Sequence, residues 1–271
     1  MKDLFDIKNR VVVVTGATGV LAGATARYLA KCGARVAFIG RDAAKLADIE
    51  KFIADNGCDA LAIRADVLSR DDLLAARKAV LDKWGTVDCL VNGAGGNRAG
   101  SVIPPEKSFF DLDLGAWEDV FKLNMEGTLL PIIVFGEIFQ KNKKGVIVNF
   151  SSMTAQQAVT RVLGYSNAKA AVDNLTKWLA VEFAKKIGDG VRVNAVAPGF
   201  FLSEQNRTLL TNPDGSLTER GHDIVKATPF ARFGEADEVF GAIHYLCSDA
   251  SKFVTGTVLA IDGGFSCFSG V

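Results

Sequence analysis

Histidine is scarce in this chain of 271 residues, with only His222 and His244. The five cysteines, Cys32, Cys58, Cys89, Cys247 and Cys267, form neither an even set nor a Cys-x-x-Cys spacing. Those two shortages exclude the usual zinc frameworks and a disulfide scaffold, so no metal is expected and the thiols read as reduced core residues of a cytoplasmic protein. No stretch approaches about 18 uninterrupted apolar residues, which argues against a membrane span, and Met-Lys-Asp-Leu-Phe-Asp at the start lacks the apolar run of a signal peptide. Charge of one sign is missing too: 31 basic residues balance 31 acidic ones. Without a Lys/Arg block there is no footprint for nucleic acid or a lipid surface. Internal repeats and low-complexity tracts are absent. Apolar residues are plentiful at 49%, enough for one sizeable α/β core, and one domain over 1–271 is the simplest organisation.

The apolar residues come in a repeated grammar. Arg10 to Thr15 contains four consecutive valines, as expected of a strand buried on both faces of a parallel sheet. It runs into Gly16-Ala-Thr-Gly19-Val-Leu-Ala-Gly23, and Ala24 to Lys31 follows as a good helix former. Glycines at such a turn let backbone N–H groups at a helix N-terminus approach a pyrophosphate, whose negative charge the helix dipole favours. A second strand, Arg35 to Ile39, ends in Gly40-Arg41-Asp42. A dinucleotide-binding fold reads the adenosine ribose at this point, with an acid for a free 2′-hydroxyl or a cation for a 2′-phosphate. Arg41 leans towards NADP, and Asp42 keeps NAD open. Further strands end in Asp66-Val67, in Asn92-Gly93-Ala94-Gly95, in Ser151-Ser152 and in Pro198-Gly199, and Val258 to Ile261 is followed by Asp262-Gly-Gly264. Seven strands alternating with six helices predict a doubly wound, seven-stranded parallel sheet.

One helix, about Tyr165 to Lys186, opens with Tyr165 and Lys169, which share a face at i and i+4. Another, Ala116 to about Gln140, carries Asn124 among apolar neighbours and Pro131 as a place to kink; a buried Asn there needs hydrogen-bond partners. Residues 200–232 interrupt the alternation with turn chemistry and two short helical stretches, as lids often do.

Taken together, Thr15-Gly16, Asp66, Asn92-Gly-Ala-Gly95, Asn124, Ser152, Tyr165 with Lys169, Pro198-Gly199 and Asp262-Gly-Gly264 resemble the short-chain dehydrogenase/reductase family, in order and spacing, across essentially the whole chain. The resemblance implies a Rossmann fold with a cofactor half over about 1–150, a catalytic and substrate half over about 151–271, and a lid over about 200–232. It implies that Tyr165 exchanges a proton with the substrate oxygen while hydride moves to or from a nicotinamide. A free phenol titrates near about 10, so a neighbouring cation, Lys169, would poise it for neutral pH and also hold the nicotinamide ribose. Ser152, thirteen residues before Tyr165, would hydrogen-bond the reacting oxygen, and Asn124 would tie Lys169 to a proton-relay water. Ser151 is the competing serine. The dinucleotide would lie on Gly16, Thr18, Gly19, Val20 and Leu21, then on Arg41, Asp66 and Val67. Asn92, Gly93 and Ala94 would follow, and Pro198, Gly199 and Phe201 would meet the nicotinamide end. The family's glycine pattern is Thr-Gly-x-x-x-Gly-x-Gly; here Val20 and Ala22 stand at the later glycine positions, and glycines occupy 19 and 23.

Within the family, the 199–207 stretch, Asn212 to Gly221 and the C-terminal Gly264 to Val271 resemble the branch that interconverts D-fructuronate and D-mannonate. A sugar acid needs a cation for its carboxylate and polar groups for its hydroxyls. Arg161 and Arg207 are the first choices, with Asn97, Arg98, Gln157 and Asn206 behind them. Another hydroxy acid, a polyol or a 3-oxoacyl group is the alternative substrate. A dinucleotide-binding sensor is the alternative class, and the intact Asn124, Ser152, Tyr165 and Lys169 set argues against it. The family resemblance also implies a homo-oligomer, commonly a tetramer, with the Asn124 and Tyr165 helices at one interface.

Overall fold

The computed structural model describes residues 3–202 and 206–270. Residues 203–205 of the expected lid and residue 271 of the terminal segment lie outside the described residues. The first half alternates Val11–Thr15 (β1), Val20–Lys31 (α1), Arg35–Gly40 (β2), Ala43–Asn56 (α2), Ala60–Arg64 (β3), Arg70–Trp84 (α3) and Cys89–Asn92 (β4). Leu114–Phe121 (α4) and Gly127–Asn142 (α5) are then joined by a π-helical turn, Lys122–Glu126. Gly145–Phe150 (β5), Leu163–Lys186 (α6) and Val191–Pro198 (β6) precede Arg207–Leu210 (α7), Glu219–Ala227 (α8), Phe240–Cys247 (α9) and Val258–Ile261 (β7).

All pairings are parallel, and the strand order is β3-β2-β1-β4-β5-β6-β7. This is the doubly wound sheet the alternation predicts. Alternate residues of one strand feed opposite faces, as the twofold period of a strand requires. Val12 and Val14 pack with Leu29, Ile49 and Ile243 beneath α1, α2 and α9, whereas Val11 and Val13 pack with Leu73, Phe135 and Leu179 beneath α3, α5 and α6. Burial on both faces explains the unbroken valine run. The chain reverses direction between β1 and β4, and ligands of open α/β sheets bind in the crevice beyond the strand ends at such a switch point.

Two boundaries differ from the sequence reading. Helix α1 starts at Val20 rather than Ala24, so Val20, Leu21 and Ala22 form its first turn. Gly23 lies inside the helix because a Cβ there would come within 2.5 Å of the Ala17 carbonyl oxygen. The long helix departs from α-geometry at Asn124, upstream of Pro131, which α5 carries in its interior. The Asn124 side chain takes over the Val120 carbonyl at 2.8 Å, the acceptor its own backbone N–H would use in a regular helix.

Candidate active site

The C-terminal ends of all seven parallel strands open on one edge of the sheet, and the chemistry-bearing side chains gather there. Ser152 follows β5 and is buried, with its hydroxyl accepting from Thr154 N at 3.2 Å. Tyr165, on the first turn of α6, stands beside Ser152. Burial raises the phenol above its ordinary value, and the Ser152 contact pulls it partly back. Lys169, one turn on, lies with Nζ 5.4 Å from the centre of the Tyr165 ring and donates to the Phe150 carbonyl at 2.7 Å. Burial lowers this ammonium to about 8, against a smaller opposing pull from Asp173. Ser151 faces away from this group: its hydroxyl bonds the Asp173 carboxylate, whose pKa burial raises.

Asn124 is fully buried, and both amide ends are spent on backbone. Nδ2 donates to Gly96 O and Val120 O, both at 2.8 Å, and Oδ1 accepts from Gly96 N at 3.0 Å. A Cβ on Gly95 would fall 2.5 Å from Asn124 Oδ1 and 3.3 Å from Lys169 Nζ. Asn124 and Lys169 therefore converge on the bare face of Gly95, which the sequence reading did not single out.

The switch point is lined the same way. Gly16 has φ +67°, and a Cβ there would meet Ala94 N at 2.5 Å. Gly93 would press a Cβ onto Ala22 at 2.4 Å, so a glycine on β4's exit makes room for the alanine standing at a family glycine position. Gly19 precedes the first turn of α1, which carries no acid to neutralise the helix dipole. Beyond it, Val67, Ala94 and Leu123 form an apolar shelf suited to a flat ring. Arg41 reaches Asp66 at 3.4 Å across the mouth of this cradle. At the expected acid position, a Cβ on Gly40 would clash with Thr18 at 2.5 Å, and Asp42 is occupied capping α2 through Lys45 N at 3.1 Å.

Several expected contacts point elsewhere. The Asn92 amide is turned into the sheet, donating to Asn149 Oδ1 at 2.9 Å, because Asn149 of the adjacent strand gives a buried amide its partner. Phe201 is buried, with its ring over Gly234. It borders a cavity of about 350 Å³ beyond β6 and β7 that Ser152, Tyr165 and Lys169 do not line. Asn206 donates to Phe201 O at 2.8 Å, Asn97 accepts from Ser101 Oγ at 2.6 Å, Arg98 pairs with Asp119 at 3.3 Å, and Gln157 donates to Ser266 O at 2.8 Å. Arg207 is exposed on α7. Of the substrate candidates, Arg161 stands nearest the chemistry in the chain, on the loop between Ser152 and Tyr165.

A family model described as enoyl-(acyl carrier protein) reductase matches residues 16–266. The uncharacterized oxidoreductase UxuB of Bacillus subtilis is 42% identical over 275 residues, spanning 98% of both chains. The chain belongs to the short-chain dehydrogenase/reductase family. A solved structure from Haemophilus influenza with bound NAD, a candidate D-mannonate oxidoreductase, is 39% identical with a TM-score of 0.92, covering 98% of each chain. A gluconate 5-dehydrogenase from Burkholderia cenocepacia solved with NADP and tartrate is 29% identical with a TM-score of 0.86, again over 98% of each chain. As a short-chain dehydrogenase/reductase, the protein is an NAD(P)-dependent oxidoreductase acting on a small molecule.

The switch point of this enzyme fits a dinucleotide on its own geometry: Gly16 and Gly93 let the β1 and β4 exits pack closely, and the N-terminus of α1 beside them carries no acid to oppose a pyrophosphate. Among the described residues, no group of His, Cys, Asp or Glu could hold a metal ion, and no helix is long and apolar enough to cross a membrane.

Proposed function

We propose that this enzyme interconverts a keto sugar acid and its hydroxy acid, D-fructuronate and D-mannonate. The reaction type rests on one observation above all: Ser152, Tyr165 and Lys169 come together, with Lys169 Nζ between the Tyr165 ring and the bare face of Gly95. When bound, the nicotinamide supplies or accepts the hydride. Tyr165 gives its phenolic proton to the carbonyl oxygen during reduction and takes it back during oxidation, and Ser152 hydrogen-bonds the same oxygen. A buried phenol holds its proton at neutral pH, which suits the donor role. Lys169 keeps a positive charge behind the ring, and Asn124 fixes the Gly96 backbone that borders the pocket.

Gly16, Thr18, Gly19, Val20 and Leu21 would hold the pyrophosphate; Asp66, Val67 and Ala94 the adenosine end; and Lys169, Pro198 and Gly199 the nicotinamide end. The cofactor leans to NADP(H), because Gly40 excludes an acid at the ribose and Arg41 is exposed beside it. The substrate assignment is supported by Arg161, four residues before Tyr165, and by the extent of similarity to the candidate D-mannonate oxidoreductase. Five free thiols suit the cytoplasm.

The test is a substrate panel followed at the reduced-nicotinamide absorbance: D-fructuronate, 5-keto-D-gluconate, a neutral ketohexose and acetoacetyl thioester. The expected result is the highest kcat/KM with D-fructuronate. Preference for the thioester would move the enzyme to 3-oxoacyl reduction, and cofactor oxidation with none of them would favour the sensor reading.

A further inference from the structure

The loop between Ser152 and Tyr165 has both ends in the active site. Its last turn is unusual in two respects. Arg161 adopts φ +76°, a left-handed conformation that costs a non-glycine residue energy and persists only when its surroundings hold it. Part of that hold is the Arg161 carbonyl, which accepts from Ile103 N at 3.0 Å. The second feature is an arginine from far along the chain: Arg220, on lid helix α8, lays its guanidinium across residue 160. Nη1 donates to Thr160 Oγ1 and Nη2 to Thr160 O, both at 3.3 Å.

The Arg220 guanidinium is thus held at residue 160, next in the chain to Arg161 and five residues before the proton donor. Burial makes the Arg220 charge harder to keep, the Arg161 charge adds to that, and Asp223 offsets less than Arg161 imposes. Arg98, Arg232 and Arg41 are matched by acids, Asp119, Glu238 and Asp66. Among the described residues, neither Arg161 nor Arg220 has a carboxylate within ion-pair distance. A lid that needed only an anchor on Thr160 would be served by a neutral amide without that repulsion. Two like charges carried by facing elements, neither matched by an acid, are the arrangement that a carboxylate, accepting from two forks, relieves.

We propose that Arg161 and Arg220 together clamp the carboxylate of the substrate, which makes Arg220 a specificity-determining residue and leaves Arg207 outside the site. This rests on the sugar-acid reading and adds a chemical reason for it. In D-fructuronate the carboxylate and the reacting ketone lie towards opposite ends of the carbon chain, so the cations for the one must stand apart from Tyr165, the donor for the other. The loop carries Arg161 four residues before the tyrosine, outside the helix that bears it.

The experiment is calorimetric titration of the dinucleotide-loaded enzyme with D-gluconate and with its neutral counterpart sorbitol, combined with KM for D-fructuronate. Arg161→Gln and Arg220→Gln are each expected to weaken D-gluconate binding and raise KM by about 10- to 100-fold, the loss that goes with one charge-assisted bond. Sorbitol binding and kcat should stay close to wild type, and Arg220→Lys should recover part of the loss. Arg207→Gln should change none of these. D-gluconate affinity unchanged in both glutamine variants, absent in the wild type, or lost in step with sorbitol overturns the clamp; loss in step with sorbitol would indicate a lid that has merely lost its anchor. If carboxylate binding depends on both arginines while D-fructuronate is not reduced, the clamp stands and the substrate assignment falls. If D-fructuronate is reduced with unchanged KM in both variants, the assignment stands and the clamp falls.

Discussion

Lys169 is an expensive side chain. Holding its ammonium where the pKa falls from 10.5 to about 8 costs on the order of 3 kcal/mol. The unfolded chain binds the extra proton between those two values, so through this group stability rises as pH climbs from about 8 towards 10.5. Lys169→Met is therefore expected to abolish turnover while raising the melting temperature at pH 7, with the gap to wild type narrowing at pH 9. Thermal melts of both proteins at the two pH values check this. The same titration predicts that kcat/KM for ketone reduction declines as pH passes about 8, because the charge behind Tyr165 is lost. Gly95→Ala tests the other side of the pocket: a methyl 2.5 Å from Asn124 Oδ1 must displace the groups that meet there. A fall in kcat/KM of about 100-fold is expected from such misplacement. Tyr165, Lys169 and Ser152 were legible through the family resemblance, because they sit at its fixed intervals around one strand end and one helix start. Gly95 was not singled out, since its importance is the space it leaves beside residues 29 and 74 positions away.

At the level of elements, the π-helical turn at Lys122–Glu126 exists because one side chain outcompetes its own backbone and reaches across to the β4 exit. Asn124→Ala removes three hydrogen bonds and leaves the Gly96 N–H and carbonyl to find other partners. A loss of about 1–3 kcal/mol is expected, read by chemical denaturation, together with a lower kcat. Replacement of Pro131 should affect stability without a comparable effect on kcat. The sequence marked Asn124 as a polar residue among apolar ones but placed the irregularity at Pro131, since the competing contact is 28 residues away and leaves no local signal. The same limit holds for the 200–232 segment. Its two short helices could be read from turn residues, whereas Arg220 meets Thr160 across 60 residues of chain, so Arg161 and Arg207 were picked out and Arg220 was not. The start of α1 was misplaced for a local reason: glycines at 16, 19 and 23 mimic a long turn, yet Gly23 is demanded by packing inside the helix.

On the scale of the whole molecule, a parallel sheet with every central strand buried on both faces left little ambiguity, and the repeated strand-to-glycine grammar located its functional edge. The outer surface holds a further expectation. Leu114 on α4, Ile133 on α5, and Trp178 and Val181 on α6 are exposed apolar residues, Trp178 to 59%. They support the homo-oligomer expected from the family, with these helices at one interface. Sedimentation should give a mass above that of one chain, and Trp178→Glu should shift it downward; a monomeric wild type would remove the interface. The central claim is proton donation by Tyr165 to a keto sugar acid. Initial rates with D-fructuronate and either NADH or NADPH, measured for wild type and Tyr165→Phe alongside dinucleotide binding, test it most directly. The account predicts turnover by the wild type, with NADPH favoured, and a fall of about 10²- to 10⁴-fold in the variant at unchanged dinucleotide affinity. Activity of Tyr165→Phe near wild type, or no turnover of D-fructuronate with either cofactor, would contradict it.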